Sequence, residues 1–216
     1  MATVGRIPPG RAGRMWLRRR LATAQRGRDQ LDRKLHVLIP ELQRRHLQAD
    51  QWQRQWAQAC QDADTWLLRA TLLGGQDALR NAAPRQPTQI EITWTTAMGV
   101  SYPADARFAS DTTRPSTQPN ALPPLTGNAA IAPATAAFQK ALLAAIRAAA
   151  ADEAVRRVET EIAVTRRRLR ALDKRWLPSL HEALTHLEMS LEQAEQEDGM
   201  RLRRAVAAQP RPGTRP

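Results

Sequence analysis

Apolar residues return along the first third of the chain at alternating steps of four and three. Starting from Leu17, the steps fall on Leu17, Leu21, Ala24, Arg28, Leu31, Leu35, Leu38, Leu42, Arg45, Ala49, Trp52, Trp56, Ala59, Ala63, Trp66, Ala70 and Leu73. Fifteen of these seventeen positions are apolar; Arg28 and Arg45 are the exceptions. A period of 3.5 residues held over so many turns marks a helix wound left-handedly against another helix. The pattern predicts a first segment over residues 1–80, helical from about Arg14 to Arg80 and roughly 100 Å long. Gly74-Gly75 marks a frayed end with a last turn reaching Arg80. Pro40 removes one backbone hydrogen bond and predicts a kink.

Residues 81–133 have a different pattern. After Pro84 and Pro87, Ile90, Ile92, Trp94, Met98, Val100 and Tyr102 share one parity, and Gln89, Glu91, Thr93, Thr95 and Ser101 share the other. Period two with β-branched and aromatic residues predicts strand. One long ribbon strand fits this pattern; a hairpin turning at Thr95-Thr96-Ala97 fits it better, since a three-residue loop preserves that parity, and Pro103 ends it. The Pro-, Thr- and Ala-rich stretch from Pro103 to Pro133 predicts a long loop.

Residues 134–216 return to helical spacing. Val155, Val158, Ile162, Thr165, Leu169, Leu172 and Trp176 follow heptads, and after Pro178 the seam continues at Leu180, Leu184, Leu187, Leu191 and Ala194. The two steps of four from Leu172 through Trp176 to Leu180 form a stutter, where local unwinding is expected. Pro210 to Pro216 predict a basic, disordered tail. The fold class expected is mainly α: a long antiparallel two-helix left-handed coiled coil of the N- and C-terminal segments, chain ends together at one tip, with a small β-hairpin and loop insert near the other. Each apolar stripe needs the other's cover, because an isolated helix is marginal in water.

Composition narrows this further. The hydrophobic fraction is 42%, mostly Ala and Leu, and aromatics are only 4%, so helices packed along a narrow seam suit the chain better than a thick core. The single Cys60 excludes a disulfide framework and fits a reducing compartment. Lacking a secretory pattern or a run of roughly 20 apolar residues, the chain reads as cytosolic and soluble.

Catalytic chemistry has no foothold. Gly74-Gly75 is followed by Gln76-Asp77 rather than the lysine of a phosphate-binding loop. His36, His46, His181 and His186 make no pair at metal-ligand spacing, Glu188, Glu192, Glu195 and Glu197 read as a solvated helix face, and Cys60 reads as a packing residue. No catalytic residue, metal ligand or cofactor is predicted.

What remains is charge and surface. The net charge is +12, and the first 35 residues hold 10 basic against 2 acidic groups. Arg18-Arg19-Arg20 and Arg166-Arg167-Arg168 are the strongest polar features; consecutive residues spread around a helix, so each run encircles it. A ring of cations suits either nucleic acid or an acidic protein collar, and no nucleic-acid reading motif accompanies it. Trp52, Trp56 and Trp66 fall on the seam and read as core. Trp94 is open between packing and partner docking, because a two-stranded ribbon alone cannot bury it. Gly27 is open between surface variation and the close approach of another backbone.

Three segments carry a resemblance. Leu17 to Lys34, with its Arg26-Gly27 step, Leu31 and Arg33-Lys34, is similar to the N-terminal helix of the D-subunit family of V-type (A/V-type) ATPases. Met98-Gly99-Val100 with Pro103 resembles that family's Met-Gly-Val segment. Glu161-Ile162, Thr165-Arg166-Arg167-Arg168-Leu169, Ala171-Leu172-Asp173 and Leu177-Pro178 resemble its third motif, and Arg203-Arg204 suit its basic finish. Arg170 stands where the family commonly has Asn.

The resemblance implies the central rotor stalk of a rotary ATPase, which is not itself catalytic. It would pass torque between the membrane ion-translocating ring and the catalytic ring during ATP synthesis or ATP-driven ion transport. The partners implied are the A and B subunits of the catalytic ring, the small F subunit and the socket subunit of the membrane ring, with the chain cytoplasmic, peripheral to the membrane and not inserted in it. Arg18, Arg19, Arg20, Arg166, Arg167 and Arg168 become candidate collar contacts, and Gly27, Trp94, Met98, Gly99 and Val100 candidate partner contacts. The alternative is a coiled-coil scaffold or nucleic-acid-associated adaptor, distinguished by steep salt-dependent DNA affinity.

Overall fold

In the computed structural model, residues 7–82, 88–109 and 128–207 are described. Helix α1 spans Gly10–Ala82; strands β1 (Ile90–Ala97) and β2 (Val100–Phe108) follow; then come helix α2 (Ile131–Ala171), a π-turn at Leu172–Trp176 and helix α3 (Leu177–Ala207). The protein is mainly helical, a long C-terminal helical segment packs against the N-terminal helix, and the strands form a small antiparallel hairpin. The chain divides into two compact units, Met1–Leu35 with Val164–Pro216, and His36–Ala163. Among the described residues, no helix is long and apolar enough to cross a membrane.

The first unit pairs the start of α1 with α3. Leu17, Ala24 and Leu180 are buried at its centre, flanked by Trp16, Leu21, Trp176, Leu177, Ala183, Leu184 and Leu187. Leu17 and Leu180 are fully buried, each contributing about 2 kcal/mol of transfer free energy. Arg11 pairs with Glu195 at 3.1 Å, Arg18 with Glu188 at 2.7 Å and Arg28 with Asp173 at 2.9 Å. As one partner's number rises the other's falls, the signature of an antiparallel pair. These side chains are solvated, so the pairs set register more than stability.

The stutter is visible as the π-turn, where the Leu177 N–H donates to the Leu172 carbonyl five residues back. Pro178 has no N–H to continue the ordinary ladder. One extra residue in the turn brings Leu172, Trp176 and Leu180 back onto the seam.

In the second unit the remainder of α1 packs against α2. Ala49, Ala151 and Val155 are buried together beside Leu42 and Trp52; Ala70, Ala130 and Ala134 are buried beside Trp66, Leu79 and Ile131. Alanine facing alanine lets the backbones approach closely, which is how a chain poor in large core residues closes its seam. Gln53 Nε2 donates to Asp152 at 2.7 Å and His46 lies 3.2 Å from Glu159, again antiparallel. Trp56 is 40% exposed, which corrects its reading as core: the indole at 52 packs against the small residues Ala49, Ala151 and Val155, whereas the one at 56 stays in contact with solvent.

Helical backbone carries through Pro40 and breaks at Gly75 (φ 66°, ψ −176°), after which the helix resumes to Ala82 instead of fraying. Beside the break, Asn128 Nδ2 donates to the Ala70 carbonyl at 2.9 Å, and a Cβ on Gly74 would collide with that side chain. The Gly75 conformation is essentially closed to other residues. Gly75→Ala is therefore expected to cost about 2 kcal/mol and to speed amide exchange in residues 76–82, read by hydrogen exchange.

The hairpin corrects two expectations. Its turn is Met98-Gly99 rather than Thr95-Thr96-Ala97: Ala97 faces Val100, and Met98 (φ 48°) and Gly99 (φ 79°) are both left-handed. Two residues at positive φ twist in the sense the strands need, which a longer loop does less well. Pro103 does not end the ribbon; β2 runs to Phe108, and a bulge absorbs Ala104, since Thr93 pairs with Asp105 and Trp94 with Pro103. A two-residue turn reverses parity across the hairpin. Val100 and Tyr102 thus share a face with Thr95 and Ala97, while Trp94 lies on the other. Helix α2 begins at Ile131, three residues before the expected start, with Pro133 in the first turn where its missing N–H costs nothing. The Pro-rich expectations at 84 and 87, the loop over 110–127 and the tail at 210–216 lie outside the described residues.

Candidate functional site

Within the first unit, the run Arg18-Arg19-Arg20 surrounds α1 as helical geometry requires. Arg18 is held by Glu188. Arg20 lies between two indoles, 5.0 Å from the Trp16 ring and 5.3 Å from that of Trp176, a stack that fixes the guanidinium while leaving it cationic. Arg19 and the second cluster, Arg166, Arg167 and Arg168, are exposed.

Trp16, Arg19, Arg20, Thr23, Ala24, Gly27, Leu172 and Trp176 line an open groove of about 530 Å³. Its floor is apolar and its rim basic. The π-turn contributes Leu172 and Trp176 to the wall. At Gly27 a Cβ would meet nothing within 4 Å, so this chain's own packing does not demand glycine there. Gly27→Ala is expected to raise the stability of the isolated chain by roughly 1 kcal/mol, read as a higher denaturant midpoint. If glycine serves the approach of another backbone, the same variant loses affinity for that partner.

Within the second unit, the hairpin is fixed to the helices by charged groups. Tyr102 donates its hydroxyl hydrogen to Glu41 Oε1 at 2.8 Å, Arg45 Nε donates to the same oxygen at 2.8 Å, and Arg44 Nη2 lies 3.2 Å from Oε2. The Arg45 guanidinium also stacks 4.8 Å from the Tyr102 ring. Burial pushes the Glu41 carboxyl up, but hydrogen bonds from Arg45 and Tyr102 and the two arginine charges outweigh it and hold the group below its ordinary range. Burial, then the hydrogen bond to Glu41, push Tyr102 up.

On the other side, Arg157 Nη1 donates to the Ser101 carbonyl at 3.3 Å and its guanidinium lies 4.9 Å from the Trp94 ring. Arg157 Nε and Arg156 Nη2 each approach Glu153 at 2.7 Å. The hydrogen bond from Arg157, opposed by burial and aided by the Arg156 charge, holds Glu153 below the ordinary carboxylate range.

Of the candidate partner contacts, Val100 is buried, whereas Trp94 (49%) and Met98 (45%) are exposed and Gly99 serves the turn. Sequence reasoning missed the Glu41–Arg45–Tyr102 cluster. Its signal was Arg45, a charge on an otherwise apolar seam; Arg28, the other such residue, reaches Asp173. Among the described residues, no group of three or more His, Cys, Asp and Glu side chains could hold a metal ion.

The family model describing the D subunit of ATP synthase matches residues 15–207. The D subunit of an A-type ATP synthase from Halorubrum lacusprofundi is 30% identical over 203 residues, covering 93% of this chain and 88% of its own. The D subunit of a V-type ATP synthase from Thermotoga neapolitana is 28% identical over 200 residues, covering 92% and 96%. The D subunit of an A-type ATP synthase from Pyrococcus abyssi is 28% identical over 214 residues, covering 96% of both.

Proposed function

The chain belongs to the D-subunit family of ATP synthases, which makes it a component of an A/V-type ATPase complex, and from that premise we propose that it is the complex's central rotor shaft. It carries torque between the membrane ion-translocating ring and the catalytic ring, on the cytoplasmic side and peripheral to the membrane, and contributes no catalytic group. Residues 1–80 and 134–216 are its shaft segments and 81–133 its insert. Its partners are the A, B and F subunits and the socket subunit of the membrane ring.

The observation that carries this reading is the pairing of α1 with α3 in the first unit. Leu17, Ala24 and Leu180 are buried against each other, and the outward surface is basic along the start of α1, with Arg19 and Arg20 exposed, and mixed along α3, where Glu192, Glu195, Glu197 and Asp198 accompany Arg201, Arg203 and Arg204. The basic face of α1 can meet an acidic collar through charge, which holds no single angle as a close-fitting apolar contact would. The test is co-expression of the tagged chain with the A, B and F subunits. A single complex containing all four, with ATP-driven rotation of the chain, is expected. Failure to join the A and B subunits, with steep salt-dependent DNA affinity in its place, would favour the adaptor reading.

A further inference from the structure

We infer that the groove between α1 and the π-turn, in the first unit, seats a helix of another subunit of the ATPase complex. That helix presents a carboxylate to Arg19 and Arg20 and a small residue to Gly27. The groove follows α1 from Trp16 to Gly27, about three helical turns or roughly 16 Å, with Trp176 on its far wall. Trp16 and Trp176 are half-buried, so the chain leaves uncovered the residue type that most often anchors an interface.

Charge selects the occupant. Arg19 and Arg20 are the charged residues of the lining, and no carboxylate lines it. Neither arginine forms an ion pair among the described residues. The carboxylates closest to the lining in sequence, Asp29 and Asp173, are both held by Arg28. Glu188 is held by Arg18, and the other charges of the π-turn, Lys174 and Arg175, are basic. The cationic excess therefore lies at the groove itself. A second copy of this chain would bring another net charge of +12, and the chain's own ends, residues 1–6 and 208–216, hold no carboxylate. An acidic segment of a fellow subunit fits, since the chain is a component of such a complex.

Shape makes that segment a helix. Both walls are helical, and a helical wall offers no ladder to an extended strand. Gly27 lowers the α1 wall, where a Cβ would meet nothing within 4 Å. Glycine weakens a helix interior relative to alanine, and nothing in this unit's packing requires it there. Helix axes approach most closely where the side chains at the contact are small. The proposed shaft role enters only in naming the source: it requires the helix to come from the A or B subunit.

The test places the photo-crosslinker p-benzoylphenylalanine at Thr23, an exposed groove residue, in the tagged full chain, and irradiates the purified complex. The expected adduct maps to a helical segment with Asp or Glu within one turn of the attachment point. Arg19→Glu reverses a charge without a partner in this chain, and Gly27→Leu fills the open wall. Each is expected to cut the adduct yield at least tenfold, with amide exchange of α1 and α3 unchanged to verify the fold; Arg19→Lys is expected to retain it. An adduct of this kind in A or B supports both the groove and the shaft. The same chemistry in F or the socket subunit supports the groove and overturns its place in the collar. Absence of an adduct in the assembled complex, attachment far from any carboxylate, or a yield unmoved by both variants overturns the docking site. An adduct between two copies of this chain overturns the choice of occupant.

Discussion

Glu41→Ala is expected to release the hairpin from α1 and to destabilise the second unit by about 3 kcal/mol. The carboxylate is the shared acceptor of Tyr102 and Arg45 and the counter-charge of Arg44. Removing it leaves a buried phenol hydroxyl and a half-buried guanidinium without their partner, which costs more than the cluster's net contribution to folding. Tyr102→Phe deletes one donor and leaves the ion pairs, at about 1 kcal/mol. Glu41→Gln keeps an acceptor and falls between them. Hydrogen exchange across β1 and β2 reads the release directly: in Glu41→Ala the hairpin amides should exchange far faster than those of α2, and equal protection in variant and parent would show that the cluster does not hold the ribbon.

The same residue sets a pH dependence. The folded carboxyl titrates below its ordinary value of 4.5. Its stabilisation is therefore fully present above about that pH and is lost as the pH falls through the lower, folded value. The difference between parent and Glu41→Ala should shrink over that interval and stay constant from there to neutrality.

Legibility in the sequence followed the kind of interaction involved. The helical seam was readable because burial repeats with the helix: Leu17, Ala24, Leu38, Ala49, Ala63 and Ala70 are all buried at stepped positions. The irregularity at Leu172–Trp176 was readable as local unwinding, from two steps of four beside Pro178, though not as a π-turn. The hairpin was readable as a hairpin but not in its facing. Uniform parity concealed a two-residue turn and a bulge, each of which inverts the side chains. The Glu41 cluster was the least legible, because Tyr102 lies 61 residues from Glu41 and only the docked ribbon brings them together. The basic clusters were visible as composition. Their unequal roles were not: Arg20 is stacked between the indoles of Trp16 in α1 and Trp176 in the π-turn, whereas Arg166 to Arg168 are simply exposed.

That inequality makes the second cluster the cleaner probe of the proposed shaft. Reversing Arg166, Arg167 and Arg168 to glutamate changes the charge by six and touches no buried group, so folding should change little. Reversing Arg18, Arg19 and Arg20 also breaks the Glu188 pair and empties the space between Trp16 and Trp176, so lost function there would mix folding with recognition. In the proposed assembly, the reversal at 166–168 would set like charges against the acidic collar, a juxtaposition costing several kcal/mol. About 3 kcal/mol corresponds to a weakening of roughly a hundredfold. ATP hydrolysis should then proceed with rotation of the chain largely uncoupled from it. Because the penalty is electrostatic and partly solvated, rising salt should narrow the gap between variant and parent. Normal coupling in the folded variant at low salt would show that these arginines do not face the collar. A loss insensitive to salt would point to steric disturbance in place of charge.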